Sequence, residues 1–168
     1  MQTGECRGGP MQLTKYSDYA LRVLLFLGQH PDRRTTIDDL AGHYRISRNH
    51  LTKIVHQLSL AGFIKSTRGR SGGLTLGAAP DAIIIADVIR HTEKKMALVE
   101  CFETGSTCTI EPDCVLKYVL QRAQDSFMEV LSLFSLADIL DRQKLLAAKA
   151  ASTLELKIPS KIGAAPNA

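Results

Sequence analysis

From Thr36 to Leu76 the chain sets out two short helices, a tight turn and a glycine-tipped hairpin, and this order constrains the fold more than any other feature. Thr36 with Asp39 three positions on has the form of a capping box, which opens a short helix through His43. Tyr44, Arg45 and Ile46 read as a tight turn, and Ser47 as the N-cap of a helix that runs to Ala61, where Gly62 stops it. Leu51, Ile54, Val55 and Leu58 in that helix are spaced 0, 3, 4 and 7, which defines one buried face. Phe63 to Arg68 reads as a strand, Gly69, Gly72 and Gly73 as a tip, and Leu74 to Leu76 as the return strand.

The face opposite the apolar stripe carries Arg48, Asn49, Thr52, Lys53 and His56, with Ser47 and His50 at the start of the same helix. Such side chains hydrogen-bond base edges and phosphates. A capped helix, a turn and a polar-faced second helix form a helix-turn-helix, whose second helix enters the major groove. The tip adds Arg68 and Arg70 among Gly72 and Gly73, which lets the backbone approach closely and offers arginines to phosphate or a narrow minor groove. Charge agrees. Residues 1–75 hold eleven Lys/Arg against five Asp/Glu, and residues 76–168 hold ten against twelve. The first half therefore suits an anionic partner, double-stranded DNA, although a merely solvated basic face is the plainer alternative.

The fold class expected is mainly α: a winged helix-turn-helix domain with a small β-hairpin wing and a long dimerisation helix. With 5% aromatics and no Trp, the core is one of Leu, Ile and Val on helices. Ser17 to Leu27 is helical, with Ser17 as N-cap, and Asp87 to Lys94 is a further helix. A long helix opens at Pro112. In it Leu116, Leu120, Ala123, Phe127, Val130, Phe134 and Ala137 step alternately by 4 and 3, a heptad-like seam. One domain cannot bury so wide a stripe alone, so a homodimer is expected, reading a palindromic operator; an ordinary core helix is the alternative. Ser132 and Ser135 mark a break before a short final helix at Leu136 to Leu140. The resulting division is a flexible extension over 1–10, the DNA-binding domain over 11–80, a cysteine loop and dimerisation helix over 81–143, and a disordered tail over 144–168. No run is apolar and long enough to span a bilayer and no leader peptide is evident, so a cytoplasmic protein without a membrane partner is expected.

Cys101, Cys108 and Cys114 lie within fourteen residues, and no Cys-x-x-Cys pair is among them. Three thiolates on a loop can hold one face of an iron–sulfur cluster, leaving a coordination position for another group. Zinc, or metal-free redox-labile thiols, are the alternatives at this point. Cys6 falls in the extension and is left out of the site.

These segments together resemble a known family. Leu13 to Arg22, Ile46 to Val55 and the wing Arg68 to Leu74, with three cysteines before a long helix, are similar to the family of dimeric winged-helix regulators that contains the nitric-oxide-sensing repressors and the regulators of iron–sulfur cluster assembly. The resemblance covers about residues 11–142 and is nearer to the nitric-oxide-sensing branch. It implies a transcriptional repressor that releases its operator in response to nitric oxide. It also implies an iron–sulfur cluster on Cys101, Cys108 and Cys114, of the 4Fe–4S type, or 2Fe–2S after oxygen exposure. Asp18 matches the position that supplies a fourth ligand from the other protomer, and Arg22, one helical turn on, would couple it to the DNA-binding units. The cluster-assembly branch uses a His three residues after the last cysteine, where this chain has Lys117. A regulator reading cluster supply or redox state is the second reading. A metal-free, partner-binding regulator is the reading of another class. No nucleophile–base pair, phosphate loop or paired carboxylates point to an enzyme.

Overall fold

The computed structural model describes residues 12–67, 69, 72–93, 96–102, 105–108, 110 and 114–155. In chain order they form α1 (Lys15–Gln29), α2 (Ile37–Tyr44), α3 (Arg48–Leu60), β1 (Ile64–Thr67), β2 (Gly73–Leu76), a 3-10 turn (Pro80–Ala82), α4 (Ile85–Thr92), a second 3-10 turn (Glu100–Phe102), α5 (Val115–Ser132) and α6 (Leu136–Glu155). No helix among the described residues is long and apolar enough to cross a membrane.

The apolar stripes of α1, α2 and α3 meet in one core. Val23, Leu24, Leu40, Leu51 and Leu58 are fully buried there, with Ile54 and Ile64 nearly so. Each such side chain contributes roughly 1.5–3 kcal/mol of transfer free energy. The hairpin is antiparallel, with Ile64 opposite Leu76 and Thr67 opposite Gly73. It is sewn to the α1–α2 linker by a bridge between Thr35 and Leu74, whose amide donates to the Thr35 carbonyl at 2.7 Å. The α5–α6 junction is tied to the start of α4. The Ile85 amide donates to Phe134 O at 2.9 Å and the Leu136 amide to Ile83 O at 2.8 Å. Leu136 and Leu140 then enter the core. At Gly28 α6 comes so near that a Cβ there would lie 2.5 Å from Leu140 Cδ1, so a larger residue would have to displace that side chain.

The capping box at Thr36 and Asp39, and the cap at Ser47, form as expected. Three expectations change. The N-cap of α1 is Thr14, not Ser17; Ser17 lies in the first turn, fully buried, with its amide donating to Thr14 Oγ1 at 3.3 Å. The Ser17 hydroxyl is instead drawn to Thr92 at 2.7 Å and Glu93 at 2.5 Å, long-range partners that local spacing does not reveal. The helix expected at 87–94 starts earlier, at Ile85. The final helix is not short, and the tail assigned to 144–168 is helical through Glu155. Its Ala, Leu and Lys residues are strong helix formers, which outweighs their low-complexity look. Residues 1–10, Pro112 and residues 156–168 lie outside the described residues.

Candidate nucleic-acid interface and metal centre

The polar face of α3 is open to solvent. Ser47, Arg48, Asn49, His50, Thr52, Lys53 and His56 are all exposed, while Leu51, Ile54, Val55 and Leu58 of the same helix are buried. The His50 amide donates to Ser47 Oγ at 3.4 Å, which satisfies one of the free N–H groups at the helix start. The turn before it places Arg45 in the left-handed region, φ 55°, a conformation that costs a non-glycine residue roughly 1–2 kcal/mol. Arg48 pairs with Asp38 of α2 at 3.0 Å, both well exposed, which draws the first side chain of α3 toward α2. Thr52 donates to the Arg48 carbonyl at 2.9 Å.

The wing glycines have a partner within the chain. Gly72 is buried and Gly73 half-buried. The space above them belongs to Arg34. Its Nε donates to the Gly72 carbonyl and its Nη2 to the Gly69 carbonyl at 3.3 Å. A Cβ at Gly73 would fall 2.9 Å from Arg34 Cγ and 3.2 Å from the Thr35 carbonyl. Gly73 therefore admits the Arg34 stem. Arg68 and Arg70 lie outside the described residues.

Asp18 and Arg22 form a two-point pair on α1. Arg22 Nε donates to Asp18 Oδ1 at 2.9 Å, and Nη2 lies 2.8 Å from Oδ2. The Asp18 hydrogen bond raises the Arg22 pKa further. The guanidinium also stands 5.9 Å from the Tyr19 ring centre and 6.0 Å from that of Tyr44. Tyr44 closes α2 and donates its hydroxyl to the Arg22 carbonyl at 3.1 Å; burial pushes its pKa up, against the nearby Arg22 charge. Asp18 is thus joined through Arg22 and Tyr44 to the turn that launches α3.

The three cysteines sit on the segment from α4 to α5. Cys101, Cys108 and Cys114 are free thiols, each half-buried. Cys114 is the N-cap residue of α5 and makes no side-chain cap bond. As donors, three unpaired sulfur atoms partly shielded from water fit an iron–sulfur cluster, which thiolates hold. They are not gathered: no group of three His, Cys, Asp or Glu among the described residues stands close enough to hold a metal ion. Asp18 of the same chain does not join them. The base of the segment is anchored. Glu93, the C-cap of α4, accepts from Thr14 N at 2.7 Å, Thr14 Oγ1 at 3.0 Å and Ser17 Oγ.

Arg34, Asp38, Tyr44 and Glu93 carry no mark in local spacing. Glu93 meets Thr14 across 79 positions and Arg34 meets Gly72 across 38. Only the capping of α2 by Thr36 hinted that the linker before it was structured.

Along α5 no residue is buried. Val115, Leu116, Val119, Phe127 and Val130 expose between 42% and 76% of their area, so most of the seam faces away from this chain's own core. Phe134 and Ala137 fall beyond the break at Leu133 and leave the seam there.

Residues 13–142 match the Rrf2 family model, described as an iron-dependent transcriptional regulator. The HTH-type transcriptional regulator NsrR of Geobacillus kaustophilus is 46% identical over 133 residues, covering 78% of this chain and 90% of that protein. The NsrR regulator of Bacillus subtilis is 41% identical over 136 residues, 80% of this chain and 93% of the relative. Among solved structures, CymR, the global cysteine regulator of B. subtilis, superposes with a TM-score of 0.65 at 29% identity, covering 79% of this chain and 98% of CymR. T. potens IscR gives a TM-score of 0.65 at 25% identity over 80% of this chain and 89% of IscR.

Proposed function

Since the chain belongs to the Rrf2 family and is a DNA-binding transcriptional regulator, not an enzyme, we propose that it acts as a homodimeric repressor of a palindromic operator, with nitric oxide as its signal and an iron–sulfur cluster as its sensor. The observation that carries the sensing reading is the set of three free, half-buried thiols on the segment entering α5. Cys101, Cys108 and Cys114 would hold the cluster, with Asp18 of the partner subunit as fourth ligand. The cluster, when bound, supplies iron sites that react with nitric oxide. The 4Fe–4S form is the one proposed, with 2Fe–2S as the oxygen-exposed form.

The chain's own residues would carry the response. Asp18 is held by Arg22, the Arg22 carbonyl holds Tyr44, and Tyr44 ends α2 at the turn into α3. Asp18 held at the partner subunit's cysteines would, with Arg22 one turn on, fix the angle between the two DNA-binding units, and its release would let the Asp18–Arg22 pair re-form and that angle change. Two α3 helices on one α5-paired dimer must keep a spacing of about one DNA turn, roughly 34 Å, so a small change in their angle decides binding. Ser47, Arg48, Asn49, His50, Thr52, Lys53 and His56 would face the major groove. Arg68 and Arg70 at the wing tip would face the backbone or minor groove.

Anaerobic purification followed by visible absorption during nitric oxide titration tests this reading. Broad iron–sulfur bands that bleach with nitric oxide are expected, and bleaching by reductants alone would favour a redox regulator instead. Cys108→Ala should abolish iron loading and weaken operator binding. Wild-type iron content in that variant would remove Cys108 from the ligand set, and a colourless wild-type protein after reconstitution would remove the cluster.

A further inference from the structure

A two-stranded hairpin is marginal by itself in water, and the wing here has only four residues in each strand. Its return strand is held by Thr35, fully buried, through the Leu74 amide, next to the Thr67–Gly73 pair. Its tip would be left to its own turn, closed by the Gly72 amide on the Gly69 carbonyl at 2.9 Å. Arg34 changes that. One guanidinium donates to both Gly69 and Gly72 carbonyls, and its stem lies where Gly73 has no side chain. The adjacent Arg33 turns the other way, to Asp39 of α2 at 3.2 Å.

We propose that Arg34 is the positioning residue of the wing: its planar fork spans the tip turn and sets the height and angle at which the tip meets the DNA flanking the α3 contacts. A lysine cannot replace it, because a single ammonium is a point donor without a fixed fork. Charge-assisted hydrogen bonds are stronger than neutral ones, so Gly69 and Gly72 are held together before DNA arrives and lose less freedom on binding. The inference rests on the wing contacting duplex DNA, as proposed above.

The test uses a duplex selected from a random library with the wild-type protein, and the same duplex trimmed at both ends until the wild type loses affinity. Arg34→Ala is expected to bind the full duplex about ten-fold more weakly, the loss of one or two charge-assisted bonds, and to bind the trimmed duplex like the wild type. Its Gly72 amide should exchange hydrogen faster, with the melting temperature little changed. Arg34→Lys, which keeps the charge and the stem, should behave like Arg34→Ala. Equal losses on both duplexes, or recovery of affinity in Arg34→Lys, would overturn the positioning role. A wild type that selects no duplex would instead overturn the DNA-binding reading, so the two failures are distinct.

Discussion

α1 and α5 are nearly equal in kind: 15 and 18 residues, both with apolar side chains at helical spacing. Ser17, Ala20, Val23, Leu24, Phe26 and Leu27 of α1 are buried, and no residue of α5 is. The same periodicity therefore means two different things. In α1 the stripe faces α3, α4 and α6 of its own chain. Among the described elements α5 has α4 as its one substantial neighbour, and much of its apolar surface faces away from them. A seam that a monomer leaves open is a statement about assembly, whereas a seam that it closes is a statement about folding.

The sharpest way to break this contrast is to truncate one side chain in each region. Leu51→Ala, at a fully buried position beneath the recognition face, should destabilise the chain by about 2–5 kcal/mol in urea unfolding. Val119→Ala on α5 should change the stability of the monomer by only about 0.5 kcal/mol or less. Similar losses for the two would mean that α5 folds against its own chain. Charging the open seam comes next. Phe127→Asp with Val130→Asp should raise the dimer dissociation constant on the order of a hundred-fold in sedimentation, with far-ultraviolet circular dichroism of the monomer retained. A variant that stayed dimeric at low micromolar concentration would place the interface elsewhere.

A smaller effect than the core truncation concerns two caps of one form, at the starts of α2 and α6. Thr36 with Asp39, and Ser135 with Asp138, are matching boxes at the starts of α2 and α6. Hydrogen bonds from Thr36 and from Ser135 hold the two carboxyls below the ordinary aspartate range. Because these folded-state values are lowered, their stabilisation is present above the unfolded value of about 3.9 and is lost as pH falls through the folded value. Stability should thus be flat near neutrality and decline below about pH 4. Thr36→Ala should cost about 1 kcal/mol at pH 7 and less in acid, measured by urea unfolding at both pH values.

The winged helix was legible because each of its parts is written locally. Leu51, Ile54, Val55 and Leu58 mark the inner face of α3, Thr36 and Ser47 mark two helix starts, and the glycines mark the hairpin. What escaped notice depends on partners distant in sequence. Thr14 and Ser17 are equally good caps by residue type, and only Glu93, from the end of α4, distinguishes them. Gly72 and Gly73 point to a close approach at the wing, but nothing in their spacing says that Arg34 of the same chain lies against them. The helical continuation of α6 was hidden because Ala and Lys are common both in good helices and in tails. Of the candidate metal centre, the sequence conveys the donors and not their arrangement, since no cap, periodicity or turn rule dictates how the segment between α4 and α5 is laid out.

The two backbone bonds that stitch Ile83 and Ile85 to the α5–α6 corner have a mechanical consequence. At 1.5 Å per residue, α5 is a rod about 27 Å long, clamped near its C-terminal end to the body that carries α3. A clamp of this kind converts angle into distance. A tilt of about 10° at the corner displaces the far end by about 5 Å, more than the separation of successive base pairs, about 3.4 Å. Angular play at Phe134 and Leu136 therefore sets the tolerance with which any assembly built on α5 can hold two reading heads apart.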